Sequence, residues 1–219
     1  MPIAEYVIGA VLLHQRAFPE LREAQERREW VRIVGRDLIG STMLVFGTGG
    51  IGREVAWRAR ALGVTVIGVN RAGTPAEGFD RVESFADHLP LLPEADSVVL
   101  AMPLTGENRY FFDAEHFAAM KETGILVNIG RGALVVEDAL VDAMEQGRIA
   151  GAVLDVFEEE PLPPGHRLWG LPRTTATPHT SFRGSGNVQR LYADFCANFD
   201  LYLAGEPLTG TKRQPELGY

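Results

Sequence analysis

Three observations predict an α/β fold built on a doubly wound parallel sheet. Short apolar, β-branched runs alternate with helix-like segments at least five times along the 219 residues. The runs are continuously apolar rather than alternating, as in strands buried on both faces. The first of them, residues 42–52 (TMLVFGTGGIG), runs into Gly47, Gly49 and Gly52 and then directly into REVAWRARAL. Strand, tight turn and helix start, in that order, make a Rossmann-type cradle for a dinucleotide pyrophosphate. The first glycine permits the turn, the second lets backbone approach the phosphate, and the third lets helix pack on strand. Negative charge then rests on the unpaired N–H groups of the helix start, a turn shared by Thr48, Gly50 and Ile51. G-x-G-x-x-G alone is common in loops; its strand–helix setting favours the dinucleotide reading.

Taken in order, residues 3–17 carry Ile3, Val7, Ile8, Val11 and Leu12, apolar at nearly every helical phase, which predicts a helix covered on most sides. A signal peptide is the competing reading. Glu5 comes early, no basic leader precedes it and no small-residue cleavage site follows, so a buried helix is preferred. Residues 20–36 (ELREAQERREWVRIVGR) predict a solvated helix laced with i,i+4 ion pairs, with Trp30 as a large apolar anchor near its end. After the glycine turn, residues 64–69 (VTVIGV) read as a strand ending at Asn70 and Arg71, followed by a loop with Gly73, Pro75 and Gly78. Residues 97–101 (SVVLA) form the next strand, stopped by Pro103. Residues 113–120 look helical with Asp113 as N-cap. Residues 125–129 (ILVNI) are a strand, 136–146 an amphipathic helix closed by Gly147, and 151–156 (GAVLDV) a strand again. A proline-rich loop leads to residues 174–177 and then PHTS, and the last long helix covers about 186–203. The expected organisation is one domain: a helical arm (1–36), the Rossmann core (37–183), and a C-terminal helix and tail (184–219), giving the core helical N- and C-terminal extensions.

Composition narrows the function. Lys and Arg number 21 against 29 Asp and Glu, a net charge of −8, which argues against nucleic acid or an anionic membrane as the main partner. No run approaches the roughly eighteen apolar residues that span a bilayer. The single cysteine, Cys196, cannot form an internal disulfide, which fits a reducing cytoplasm; its helical apolar setting predicts a packed core thiol. No metal site is expected.

In an open α/β sheet, ligands bind beyond the carboxyl ends of the strands. The polar residues gathered there are Asn70 and Arg71, Pro103 to Thr105, Asn128 and Arg131, Asp155 and Glu160, and His179. Each has a bland alternative: Arg131 a surface cap, Glu160 one of three acidic loop residues, His179 a satisfied histidine after proline. Together, an arginine, two carboxylates and a histidine from separate strand ends suggest a constellation.

The stretches GTGGIG, AMPLTGEN, LVNIGRGALV, AGAVLDVFEEEPLP, HRLWGLPRTTATPHTS and GEPLTG…ELGY cover nearly all of the chain. In that order they resemble the nucleotide-binding part of the D-isomer specific 2-hydroxyacid dehydrogenases, the family of glyoxylate/hydroxypyruvate reductases and phosphoglycerate dehydrogenase. The resemblance implies catalytic roles for Arg131, Glu160 and His179. It places Asp155 against the nicotinamide amide, and Pro103, Thr105, Ile129 and Gly130 along the cofactor. In reduction of a 2-oxo acid, His179 would donate the proton to the carbonyl oxygen. Glu160 would hold the imidazole by its other nitrogen and favour its charged form. Arg131 would offer its planar fork to the substrate carboxylate and the carbonyl oxygen.

The usual NAD signature is an Asp or Glu at the end of the second strand. Here Asn70 stands there, followed by Arg71, so NADP(H) is expected over NAD(H). The resemblance further implies a preceding flavodoxin-like substrate domain, which this sequence is expected to lack for the most part. The first and last helices, which cross between domains in the family, would then each bare an apolar face. A homodimer is expected through residues 20–36 and Trp30, unless Trp30 merely packs on its own core. Two readings stay open: a dehydrogenase acting on a small 2-oxo or 2-hydroxy acid, with HRLWGLP and its Trp169 hinting at the glyoxylate/hydroxypyruvate branch, or a dinucleotide-binding module without turnover.

Overall fold

The computed structural model describes residues 2–210; the ELGY stretch lies outside the described residues. Seven strands form one sheet in the order β3-β2-β1-β4-β5-β6-β7, every neighbouring pair parallel. They are β1 (Thr42–Phe46), β2 (Thr65–Asn70), β3 (Arg81–Ser84), β4 (Ser97–Leu100), β5 (Ile125–Asn128), β6 (Gly151–Leu154) and β7 (Thr174–Ala176). The order reverses between β1 and β4, so the crevice at the end of β1 is the topological switch point where such sheets take ligands.

Alternate residues of each central strand feed two separate cores, because successive side chains leave a strand on opposite faces. Leu44 and Phe46 of β1 join one cluster and Met43 and Val45 the other. The second cluster is roofed by α1 (Pro2–Gln15) and α3 (Gly50–Ala61). The first is closed by α4 (Ala114–Ala119), α5 (Glu137–Glu145) and two 3₁₀ segments, Phe85–Asp87 and Leu89–Glu94. Asp113 caps α4 as its position in the sequence predicts, accepting from the backbone of Glu115 and His116.

The expectations for residues 20–36, for Cys196 and for the first helix need correction. The helix expected over residues 20–36 is only α2 (Phe18–Glu26). Arg28 turns left-handed (φ 59°) and the Glu29 N–H closes on the Ala24 carbonyl, ending the helix ahead of the β-branched Val31, Ile33 and Val34. The segment beyond is then fastened to the end of α1 by the Arg36 N–H on the Gln15 carbonyl (2.7 Å). Trp30 does not pack on its own core; it is 94% exposed. Cys196 is half-buried, not core: its helix α6 (Asn187–Ala204) buries no residue at all. Finally, α6 leaves its apolar side chains bare, whereas α1 buries Ala4, Val7, Ala10 and Val11. β3, for which the sequence names no strand, is one edge of the sheet and β7 the other.

His14, in the last turn of α1, lies against β6 and β7, with Nε2 3.5 Å from Thr175 Oγ1. Burial pushes its imidazole below 6.5, the charge of Glu20 lifts it in part, and the charge of Arg173 lowers it again. A depressed value means the unfolded chain binds more protons once the pH drops below 6.5. Stability is therefore full above that pH and falls in acid. The thermal midpoint should drop more steeply between about pH 7 and 5.5 in the wild type than in His14→Gln; parallel curves would refute this.

Candidate active site

Each glycine of the turn has its own reason. Gly47 (φ +104°) passes so close to β4 that an added Cβ would lie 2.7 Å from the Ala101 carbonyl oxygen. At Gly52 a Cβ would fall 1.9 Å from the Gly47 oxygen. The protein's own backbone therefore demands both. Gly49 and Gly50 are different: they are exposed, and an added Cβ would meet nothing within 4 Å. That open space, in front of an α3 N-terminus that no side chain caps, fits a pyrophosphate seated on backbone N–H groups.

β2 ends in Asn70 rather than in an aspartate or glutamate. Asn70 holds its own turn together: Oδ1 accepts from the N–H groups of Ala72 and Thr74, and Nδ2 donates to the Thr74 carbonyl and to Thr48 Oγ1 (3.0 Å). Arg71 is exposed and reaches Glu107 at 3.3 Å, a surface pair worth at most about 1 kcal/mol. Glu107 belongs to the loop after β4, which also carries Pro103, exposed, and Thr105, whose N–H is fixed by Asn108 Oδ1 at 2.7 Å.

Arg131, Asp155 and His179 follow β5, β6 and β7, three neighbouring strands in register. Asn128 sets the first: buried at the end of β5, it accepts from the Gly130 N–H and donates to the Arg131 carbonyl. Ile129 and Gly130 are buried, and the Arg131 side chain is exposed, resting on the Gly130 carbonyl (2.7 Å). His179 Nδ1 lies 2.8 Å from Glu160 Oε2, and Glu160 Oε1 accepts from the Phe157 N–H at 3.0 Å. A carboxylate only accepts, so Nδ1 carries the proton and Nε2 is the nitrogen left free. Burial pushes the Glu160 carboxyl up; the hydrogen bonds from His179 and Phe157 and the charge of His179 outweigh it, so the group sits below the ordinary carboxylate value. Held by Glu160 through Nδ1, the ring leaves Nε2 placed to exchange a proton with a substrate oxygen.

Asp155 does not present its carboxylate to the cleft as expected. It is 0% exposed and accepts from Thr177 Oγ1 and from the N–H groups of Thr180 and Ser181. Its task is to tie down the loop that bears His179. Tyr6, which bonds Thr177 at 2.7 Å, escaped the sequence reading because the two residues stand 171 positions apart.

Residues 8–181 match the family described as D-isomer specific 2-hydroxyacid dehydrogenase, NAD binding domain. The chain is 37% identical over 183 residues to glyoxylate/hydroxypyruvate reductase B of Escherichia fergusonii, covering 81% of this chain and 56% of that protein. It is 39% identical over 181 residues to D-3-phosphoglycerate dehydrogenase of Methanocaldococcus jannaschii, covering 81% of this chain and 34% of the relative. Among solved structures, the NADPH-dependent glyoxylate/hydroxypyruvate reductase of Sinorhizobium meliloti in complex with NADP and sulfate superposes with a TM-score of 0.90. That match, at 29% identity, covers all of this chain and 69% of the other. The chain thus spans only about half, or a third, of the curated relatives just named. With this sheet order, this glycine turn and this match over most of its length, the chain belongs to the D-isomer specific 2-hydroxyacid dehydrogenase family and carries its NAD binding domain.

Proposed function

We propose that the chain is the nucleotide-binding part of an oxidoreductase that reduces a small 2-oxo acid of the glyoxylate/hydroxypyruvate kind, with NADPH favoured over NADH. One observation carries the reading: the His179–Glu160 pair at 2.8 Å stands beside the strand ends that bear Arg131, across the switch point from an open glycine turn. When bound, the nicotinamide supplies the hydride. Gly47 to Gly52, with Thr48 and Ile51, hold the pyrophosphate, and Pro103, Thr105, Ile129 and Gly130 line the path to the nicotinamide. His179 delivers its proton from Nε2 to the carbonyl oxygen, and Glu160 keeps the ring oriented through Nδ1. Arg131 swings its exposed guanidinium from the Gly130 carbonyl to the substrate carboxylate, a bidentate match that lysine could not make. The exposed Trp30 and Val34 suit residues 20–36 to a homodimer contact. Among the described residues no helix is long and apolar enough to cross a membrane.

The preference for NADPH rests on Asn70 in place of a carboxylate and on Arg71, whose weak pair with Glu107 a 2′-phosphate would displace. Arg71→Ala should raise the Kd for NADPH about tenfold, some 1.4 kcal/mol, and leave that for NADH unchanged. Tighter binding of NADH than NADPH by the wild type would overturn the preference. NADPH oxidation by the purified chain with glyoxylate and with hydroxypyruvate tests the reaction itself; cofactor binding with no turnover on either acid would favour a non-catalytic module.

A further inference from the structure

We propose that Tyr6, on α1, is a positioning residue for His179, acting through Thr177 and Asp155. The Tyr6 hydroxyl lies 2.7 Å from Thr177 Oγ1, which lies 2.6 Å from Asp155 Oδ1. Chemistry orders the protons. The Asp155 carboxylate only accepts, and a threonine hydroxyl has one proton to give, so Thr177 donates to Asp155 and accepts from Tyr6. Tyr6 keeps the proton this requires: burial pushes its phenol above 10.0, the Thr177 bond lowers it in part, and the charge of Asp155 raises it further.

His179 needs such support because its backbone is left-handed, with φ +48°. A bulky residue stays there only while its surroundings over-determine it. Asp155 supplies most of that determination. Its carbonyl accepts the His179 N–H (2.9 Å), and its carboxylate accepts the Thr180 and Ser181 N–H groups (2.8 and 2.9 Å). The chain on both sides of His179 thus hangs on one fully buried carboxylate. Tyr6 fixes the remaining freedom. Without its hydroxyl, Thr177 Oγ1 keeps its bond to Asp155 but loses the donor that fixes it from the side of α1. Because α1 is packed against α3 and the sheet, this anchor rides on a rigid element rather than on another loop.

The test compares Tyr6→Phe and Thr177→Val with Thr177→Ser, which keeps the hydroxyl, and with Leu12→Ala, which loosens α1 elsewhere. Amide hydrogen exchange of the intact chain should quicken at least tenfold at Thr180 and Ser181 in Tyr6→Phe and Thr177→Val. Amides of β6 should keep their rates, and Thr177→Ser should match the wild type. In NADPH oxidation, kcat should fall about tenfold with the KM for glyoxylate and the Kd for NADPH within twofold. Wild-type exchange at Thr180 and Ser181 in Tyr6→Phe would overturn the proposal. So would a general quickening like that expected of Leu12→Ala, even if Tyr6→Phe alone failed to fold and Thr177→Val gave that result. The kinetic arm rests on the proposed reaction, whereas the exchange arm needs no turnover. A wild type inert towards glyoxylate would therefore sink the functional reading and leave exchange to decide this one.

Discussion

Replacing His179 with asparagine is expected to lower kcat for NADPH-dependent reduction of glyoxylate by about 10² to 10⁴-fold, the usual contribution of a placed general acid. Asparagine is the informative choice because it tolerates the left-handed backbone that His179 adopts, whereas alanine would add a conformational change of its own. The Kd for NADPH, measured by fluorescence titration, should stay within a few-fold, since the cradle lies at the end of β1 and the pair at the ends of β6 and β7. Glu160→Gln should cost less: it still accepts from the Phe157 N–H, but it no longer offers the charge that favours an imidazolium. An asparagine variant with wild-type turnover would remove His179 from the chemistry.

Gly132→Ala should cost stability on the order of 3 kcal/mol, the upper part of the range for overpacking, and lower the thermal midpoint by about 6 to 12 °C. The added Cβ would lie 1.9 Å from the carbonyl carbon of Phe157 and 2.3 Å from the Glu158 nitrogen, backbone atoms that no rotamer change can clear. Room could come only from parting the loop after β5 from the loop after β6, which carry Arg131 and Glu160. Gly49→Ala is the counterpart. Its Cβ meets open space, so calorimetry should find the midpoint within about 2 °C of wild type. NADPH should nevertheless bind at least tenfold more weakly, because the methyl occupies the approach of the pyrophosphate. Equal stability losses in the two variants would contradict this division of the glycines.

The strands at the centre of the sheet were legible because burial on both faces leaves little but β-branched and aliphatic side chains. β3 was not. Its sequence, RVES, is half exposed at the sheet edge, so Arg81 and Glu83 are tolerated and the apolar signal disappears. The end of α2 was missed because dense i,i+4 charge pairing continues past Glu26, while the left-handed turn at Arg28 has no glycine to announce it. At the site, Arg131, Glu160 and His179 stood out as polar residues beyond strand ends, and the fold brings Glu160 and His179 into contact. The inward turn of Asp155 was not legible, since an aspartate at a strand end looks the same whether it faces a ligand or its own loop. Tyr6 carries no local signal: its partner, Thr177, stands 171 positions further along the chain.

The parallel order of β5, β6 and β7 also bears on how the site comes into being. Each of these strands is joined to the next by a long crossover, and Tyr6 reaches its partner Thr177 across 171 positions. Contacts of such sequence separation repay their closure entropy only after the intervening chain is ordered. The glycine turn, a local strand–helix unit, can form early; the His179–Glu160 pair and its supports can form only when the far edge of the sheet has found its register. The geometry around His179 thus depends on the completed sheet in a way that the local glycine turn does not.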